Sequence, residues 1–277
     1  MQVKGTLIAI GGNEDKGTRK KKLHTVYTPS PFLTHGILWR ILSLTQEQCP
    51  QIEVVTTASS IPEEVGKMYS RAFSKLGCPQ VGIMHLRTAE EADQPEFIQR
   101  IQQCGCVLFS GGDQFRLTSV LKDTRFFEIV KSRYIHESFI VAGTSAGAMA
   151  MSDVMIYPGT GNDAHLQREV ATYPGLSLIH DVIIDTHFLA RGRFRRLAQA
   201  VADRITYLGI GLEEDTGLII REGKILEAIG TGLVTIIDAR KMPKLININF
   251  CNLEQIYLEN LTVHLLAQGN LYTLPEV

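Results

Sequence analysis

Short apolar, β-rich runs alternate with longer amphipathic stretches along this chain, and that alternation restricts the possible folds more than any other feature. The β-rich runs are Thr6–Ile10, Ile52–Thr57, Val81–Leu86, Val107–Ser110, Phe139–Ala142 and Val182–Asp185. Between them, Pro62–Leu76, Glu90–Gln103 and Arg116–Lys131 carry apolar residues three or four apart, the period of a helix with one buried face. The first of these closes at Gly77, a residue suited to ending a helix. Strand and helix in turn predict an α/β fold with a mostly parallel sheet covered on both faces. Such sheets bind ligands beyond the carboxyl ends of their strands, so the residues just after each strand carry the most functional weight. The last third reads differently: Gly217–Ile229 is a hairpin around Arg221-Glu222-Gly223-Lys224, and Val234–Asp238 and Leu261–Leu266 are further short strands. With no linker, internal repeat or low-complexity stretch, residues 1–277 are expected to form a single domain, with β-hairpin additions from about residue 217.

Composition narrows the function. A chain of 277 residues has enough length for a full core, since a domain of about 300 residues buries roughly 75% of its unfolded surface. Hydrophobic residues at 44% and charged residues at 21% exclude a disordered chain. Lys and Arg total 28 against 29 Asp and Glu, a net charge of −1, which argues against general nucleic-acid binding. No apolar run approaches the roughly 20 residues that span a bilayer. The start, MQVKGTLIAIGG, has too short an apolar region for a signal peptide and reads as a buried first strand. Five cysteines (Cys49, Cys78, Cys104, Cys106, Cys251) form no disulfide framework and fit a reducing, cytoplasmic setting. Cys104 and Cys106 lack a CxxC spacing, so no metal site is expected. Lys16–Lys22, with five basic residues in seven, is either a solvated loop or one that draws in an acidic substrate.

The strongest local signal is Phe139–Met151, FIVAGTSAGAMAM. An apolar strand runs into G-x-S-x-G and then into small helix-forming residues, the context of a nucleophile elbow. A serine on such a bend has strained backbone angles and needs tiny neighbours, a demand that Gly143, Ala146, Gly147 and Ala148 meet. Ser145 is therefore the candidate nucleophile. Its base is best sought in His187, which closes the strand Val182–Asp185 and so faces the same rim; His165, in a polar loop, is the second choice. The orienting acid is expected in Asp163, within the loop Tyr157–His165, with Asp153, Glu169 and Asp185 as competitors. A second glycine turn, VLFSGGDQ (Val107–Gln114), permits close backbone approach. The backbone N–H groups of Gly112 and Asp113 are expected to complete an oxyanion hole with that of Ala146, and Gln114 to point into the pocket. Neither GxxxxGK[ST] nor GxGxxG occurs, which weakens a nucleotide reading. Arg191, Arg193, Arg195 and Arg196 form either a solvated helix face or a set of carboxylate-binding guanidinium forks.

Taken together, IGGNEDK (Ile10–Lys16), SGGDQ (Ser110–Gln114), GTSAGA (Gly143–Ala148), DTHFLARGRFRRL (Asp185–Leu197) and GLEEDTG (Gly211–Gly217) resemble the cyanophycinase family of serine peptidases, relatives of peptidase E. The resemblance implies a three-layer sandwich like that of class I glutamine amidotransferases, a cofactor-free hydrolase and a homodimer. It implies cleavage of cyanophycin, a poly-aspartate backbone with arginine on each β-carboxyl, to β-Asp-Arg dipeptides. Its nucleophile maps onto Ser145, its histidine onto His187 and its acid onto Asp163. Its substrate-binding residues map onto Gln114, Asp185, Arg193 and Arg196, with Thr186 where the family often has glutamine. Glu14, Asp15, Glu213, Glu214 and Asp215 are candidates to hold the substrate's arginine. The rival readings are a related aspartyl or isoaspartyl dipeptidase acting on short peptides, a non-catalytic binding protein of the same fold, and an esterase.

Overall fold

A computed structural model of the chain describes residues 3–18, 31–45, 50–157, 170–204, 207–242 and 258–275. Its strands, in chain order, are β1 (Thr6–Ile10), β2 (Ile52–Val55), β3 (Val81–Met84), β4 (Cys106–Phe109), β5 (Ile140–Thr144), β6 (Val154–Ile156), β7 (Thr172–Pro174), β8 (Val182–Asp185), β9 (Leu208–Leu212), β10 (Thr216–Arg221), β11 (Ile225–Gly230), β12 (Val234–Asp238), β13 (Thr262–Leu266) and β14 (Leu271–Thr273). The main sheet runs β14-β11-β10-β1-β5-β4-β2-β3. Its half from β1 to β3 is parallel, as the uninterrupted apolar runs predicted, and β10, β11 and β14 extend it with antiparallel pairings. A second sheet runs β13-β12-β9-β8, and β6 and β7 form a small ribbon.

Alternation along β1 shows how the layers form. Leu7 and Ala9 point into one core with Val107, Phe109 and Val141; Ile8 and Ile10 point into the other with Val54, Leu108 and Ala142. The first core also takes in Phe126, Val130 and Tyr134 of the helix Arg125–His136 and residues of β8, β9 and β12, so the second sheet packs on this side. Opposite, the helix Pro62–Lys75 covers the sheet with Tyr69, Ala72 and Phe73. That helix follows the sequence rules: Pro62 stands in its first turn with Glu63 and Glu64, and Gly77 follows its end at φ +83°.

Two expected helices are each divided. Glu90–Gln103 resolves into Ala89–Ala92 and Pro95–Gln103, because Pro95 lacks the N–H that a continuous helix requires and instead opens a new one. Arg116–Lys131 resolves into Gln114–Leu121 and Arg125–His136, divided where Thr124 Oγ1 accepts the Phe127 N–H and donates to the Leu121 carbonyl. No helix among the described residues is long and apolar enough to cross a membrane.

Candidate active site

The carboxyl ends of β1, β4, β5, β8 and β9 converge, as the parallel-sheet rule anticipates. Ser145 follows β5 at φ +51° and ψ −111°, the strained bend that the flanking small residues predicted. Its amide donates to the Ile10 carbonyl at 2.9 Å, fixing the bend to the end of β1. His187 leaves β8 by an equally unusual turn, φ +48°, with its amide bonded to the Gly11 carbonyl at 2.9 Å. These two anchors bring Ser145 Oγ to 3.0 Å from His187 Nε2. The pairing inferred from two distant stretches of sequence is therefore present as a contact. Gly12 leaves room for it: at φ +99°, a Cβ there would lie 2.5 Å from the imidazole.

The carboxylate on the other imidazole nitrogen is Glu214, whose Oε1 lies 2.7 Å from His187 Nδ1. Asp163, the expected acid, lies outside the described residues, as do the competitor Glu169 and the alternative histidine His165. Asp153 accepts from the Tyr207 hydroxyl at 2.8 Å, and Asp185 is held by arginines. Glu214 reaches the histidine because the chain passes from β9 of the second sheet to β10 of the first through Glu213-Glu214-Asp215. That corner is fixed by the Asp215 amide on the Gly12 carbonyl and by the Asp15 amide on Asp215 Oδ1.

The electrostatics suit a proton acceptor. Burial pushes the His187 pKa down; contact with Glu214 opposes this, Arg191 and Arg193 add to it, and the net result lies below the ordinary value of 6.5. The imidazole is thus neutral at neutral pH and able to accept a proton. Hydrogen bonds from Asn13 and then His187 hold the Glu214 carboxyl below its usual range, so it is ionised.

Other expected residues take different places. Asp113 does not offer its amide to an oxyanion hole: that N–H donates to the Ala58 carbonyl at 2.8 Å, while its side chain caps the helix Gln114–Leu121. Gly112 adopts φ +144° against the same carbonyl, where a Cβ would lie 2.0 Å away. Gly111 runs close beside the serine, a Cβ there falling 3.2 Å from that of Ser145, and Ala146 opens the helix behind it. Gln114 is buried, with Nε2 donating to the Ile156 carbonyl at 3.0 Å. Asp185 is fully buried rather than open to substrate: Arg196 binds it through two nitrogens, and Arg193 binds it at 3.1 Å while donating to the Thr186 carbonyl at 2.8 Å. Arg193 and Arg196 thus turn inward and clamp the segment that carries His187. Thr186 is itself buried, its hydroxyl without a hydrogen-bond partner among the described residues. Of the basic run, Lys16 lies against Glu14, and residues 19–22 are outside the described residues.

A nucleophile elbow on a mostly parallel, amidotransferase-like α/β sheet, with a neutral imidazole against the serine hydroxyl, defines a serine-type hydrolase. The profile of Peptidase family S51 matches residues 34–228, and the chain belongs to that family. A cyanophycinase of Synechococcus elongatus is 31% identical over 274 residues, covering 98% of this chain and 80% of that protein. One of Trichormus variabilis is 32% identical, covering 98% and 86%. Among solved structures, a peptidase from an acI-B1 Actinobacterium superposes with a TM-score of 0.68 at 19% identity, over 99% of this chain and 98% of that one. A putative peptidase E protein from Listeria monocytogenes gives 0.56 at 17% identity, over 82% and 99%. These two share the fold.

Proposed function

We propose that this serine peptidase hydrolyses cyanophycin at aspartyl peptide bonds and releases β-Asp-Arg dipeptides through an acyl-enzyme on Ser145. The observation that carries the mechanism is the line from Ser145 Oγ to His187 Nε2 at 3.0 Å and from His187 Nδ1 to Glu214 Oε1 at 2.7 Å. His187 takes the Ser145 proton as Oγ attacks the aspartyl carbonyl, and Glu214 holds the tautomer and steadies the imidazolium. The Ala146 N–H, with that of Gly112, faces the developing oxyanion. His187 then protonates the leaving amine, water attacks the acyl carbonyl with His187 again as base, and the serine is restored. The substrate assignment is supported by the cyanophycinases, alike over nearly the whole chain.

Incubation with purified cyanophycin followed by mass analysis of the products tests this reading. The expected product is β-Asp-Arg, and Ser145→Ala should reduce its rate by several orders of magnitude while leaving the melting temperature unchanged. Hydrolysis of short isoaspartyl peptides with cyanophycin untouched would transfer the assignment to the dipeptidase reading.

A further inference from the structure

The turn after β1 carries a carboxylate that the mechanism above does not use. The Glu14 side chain is 1% exposed. Its Oε1 accepts from the Tyr69 hydroxyl and pairs with Lys16 Nζ at 2.9 Å, and its Oε2 accepts from Thr144 Oγ1 at 2.7 Å. Lys16 also lies over the Tyr69 ring, 4.9 Å from its centre. A carboxylate surrounded by two hydroxyl donors and an ammonium is ionised; burial raises its pKa, but Lys16, Tyr69 and Thr144 together hold it below the ordinary value. With both oxygens engaged inside the protein, Glu14 does not offer itself to a substrate's arginine, one role open to it from sequence.

The partners show what it acts on. Tyr69 belongs to the helix Pro62–Lys75, packed in the core on the far face of the sheet. Thr144 is the last residue of β5 and immediately precedes Ser145, which sits in strained backbone. Glu14 therefore joins a rigid helix to the residue from which the nucleophile bend springs. The same turn also supplies Ile10 O to the Ser145 amide, Gly11 O to the His187 amide and the Asn13 side chain to Glu214.

We propose that Glu14 is a positioning residue for the nucleophile, acting through the Thr144 hydroxyl to hold Ser145 Oγ in line with His187. The hydrogen bond fixes the Thr144 side chain, and with it the peptide leading into the bend; without it the elbow can relax toward ordinary backbone angles and carry Oγ away from the imidazole. The proposal rests on Ser145 being the nucleophile, not on cyanophycin being the substrate.

The test is the rate at which a fluorophosphonate probe labels Ser145, read by intact mass, with melting temperature in parallel. In that reaction Oγ bonds to phosphorus, fluoride leaves, and His187 takes the proton. Thr144→Val keeps the shape and removes the hydroxyl; it should slow labelling by roughly tenfold or more, since small misplacements of reacting groups are costly. Thr144→Ser restores the hydroxyl and should restore the rate, a rescue that a purely packing role would not produce. Glu14→Gln combined with Thr144→Val should lose clearly less than the sum of the two single losses, because both remove the same hydrogen bond. The pH midpoint of labelling should stay fixed, as His187 is untouched. Wild-type labelling rates in well-folded Thr144→Val, or additive losses in the double variant, overturn the proposal. A wild-type chain that labels but leaves cyanophycin intact removes the substrate assignment and leaves Glu14 in place; a wild-type chain that does not label removes both.

Discussion

His187 shows how a single side chain is tuned for its task. The base role proposed for it requires the neutral form, and burial, then the positive charges of Arg191 and Arg193, favour that form against the pull of Glu214. The acidic limb of kcat/KM is therefore expected below 6.5, measured as a pH profile on any hydrolysed substrate. Glu214→Gln removes a contact that raises the His187 pKa, so the limb should move further toward acid. Rate should fall at the same time by about a hundredfold or more, because the imidazolium formed on attack loses its partner. A limb that moves upward would contradict the contact at 2.7 Å. Ser145 and His187 were both legible as residues because each stands just past an apolar run, a local signal. From sequence, Glu214 stands out only as one acidic residue of GLEEDTG and a candidate to hold the substrate's arginine, not as the partner of His187. The strand before it, Leu208–Leu212, is disguised by Gly209 and Gly211, which are small for packing reasons: a Cβ at Gly211 would lie 2.6 Å from the Phe188 ring, and one at Gly209 2.9 Å from Leu197. An apolar run there would have marked Glu213–Asp215 as residues just past a strand.

At the scale of elements, the segment joining β8 to the helix Phe194–Ala202 is a strained turn held by charge. Asp185, at the end of the strand, receives Arg193 and Arg196, which are about one-tenth to one-seventh exposed. Sequence showed the arginines but not their direction; facing a substrate and facing an internal aspartate require the same residues at the same spacing. Asp185→Ala leaves two mostly buried guanidinium groups without a counter-charge, which is expected to cost about 3 kcal/mol or more, read as a lowered denaturation midpoint. Helix lengths also differ from the sequence expectation, because Pro95 and the Thr124 cap interrupt a continuous apolar period. Apolar spacing reports which face is buried and is insensitive to a short break that preserves the phase.

For the whole molecule, the alternating pattern was enough to predict a parallel sheet with both faces covered, and the hairpin at Arg221–Lys224 extends it as read. The division into two sheets is not legible, because β12 pairs with β9 and β13 with β12 across stretches of chain that carry no register signal of their own. The cores on either side are closed to solvent, and Cys78, Cys104 and Cys106 lie within them. Burial raises the Cys104 thiol to about 12, and Cys106 also lies well above the ordinary thiol range. These three thiols should resist alkylation in the native protein and react together in denaturant, so peptide-resolved labelling of the three reports global unfolding. Reaction of any of them under native conditions would contradict the packing described.

Ser145 hangs from the larger sheet and His187 from the smaller, while the short corner Glu213–Asp215 is covalently continuous with both. The Ser145–His187 contact therefore straddles a seam. A shear of an ångström between the two sheets, too slight to expose either core, would part donor from acceptor. Under the proposed mechanism, turnover gauges how the sheets are docked, and it should fail earlier than the fold that supports it.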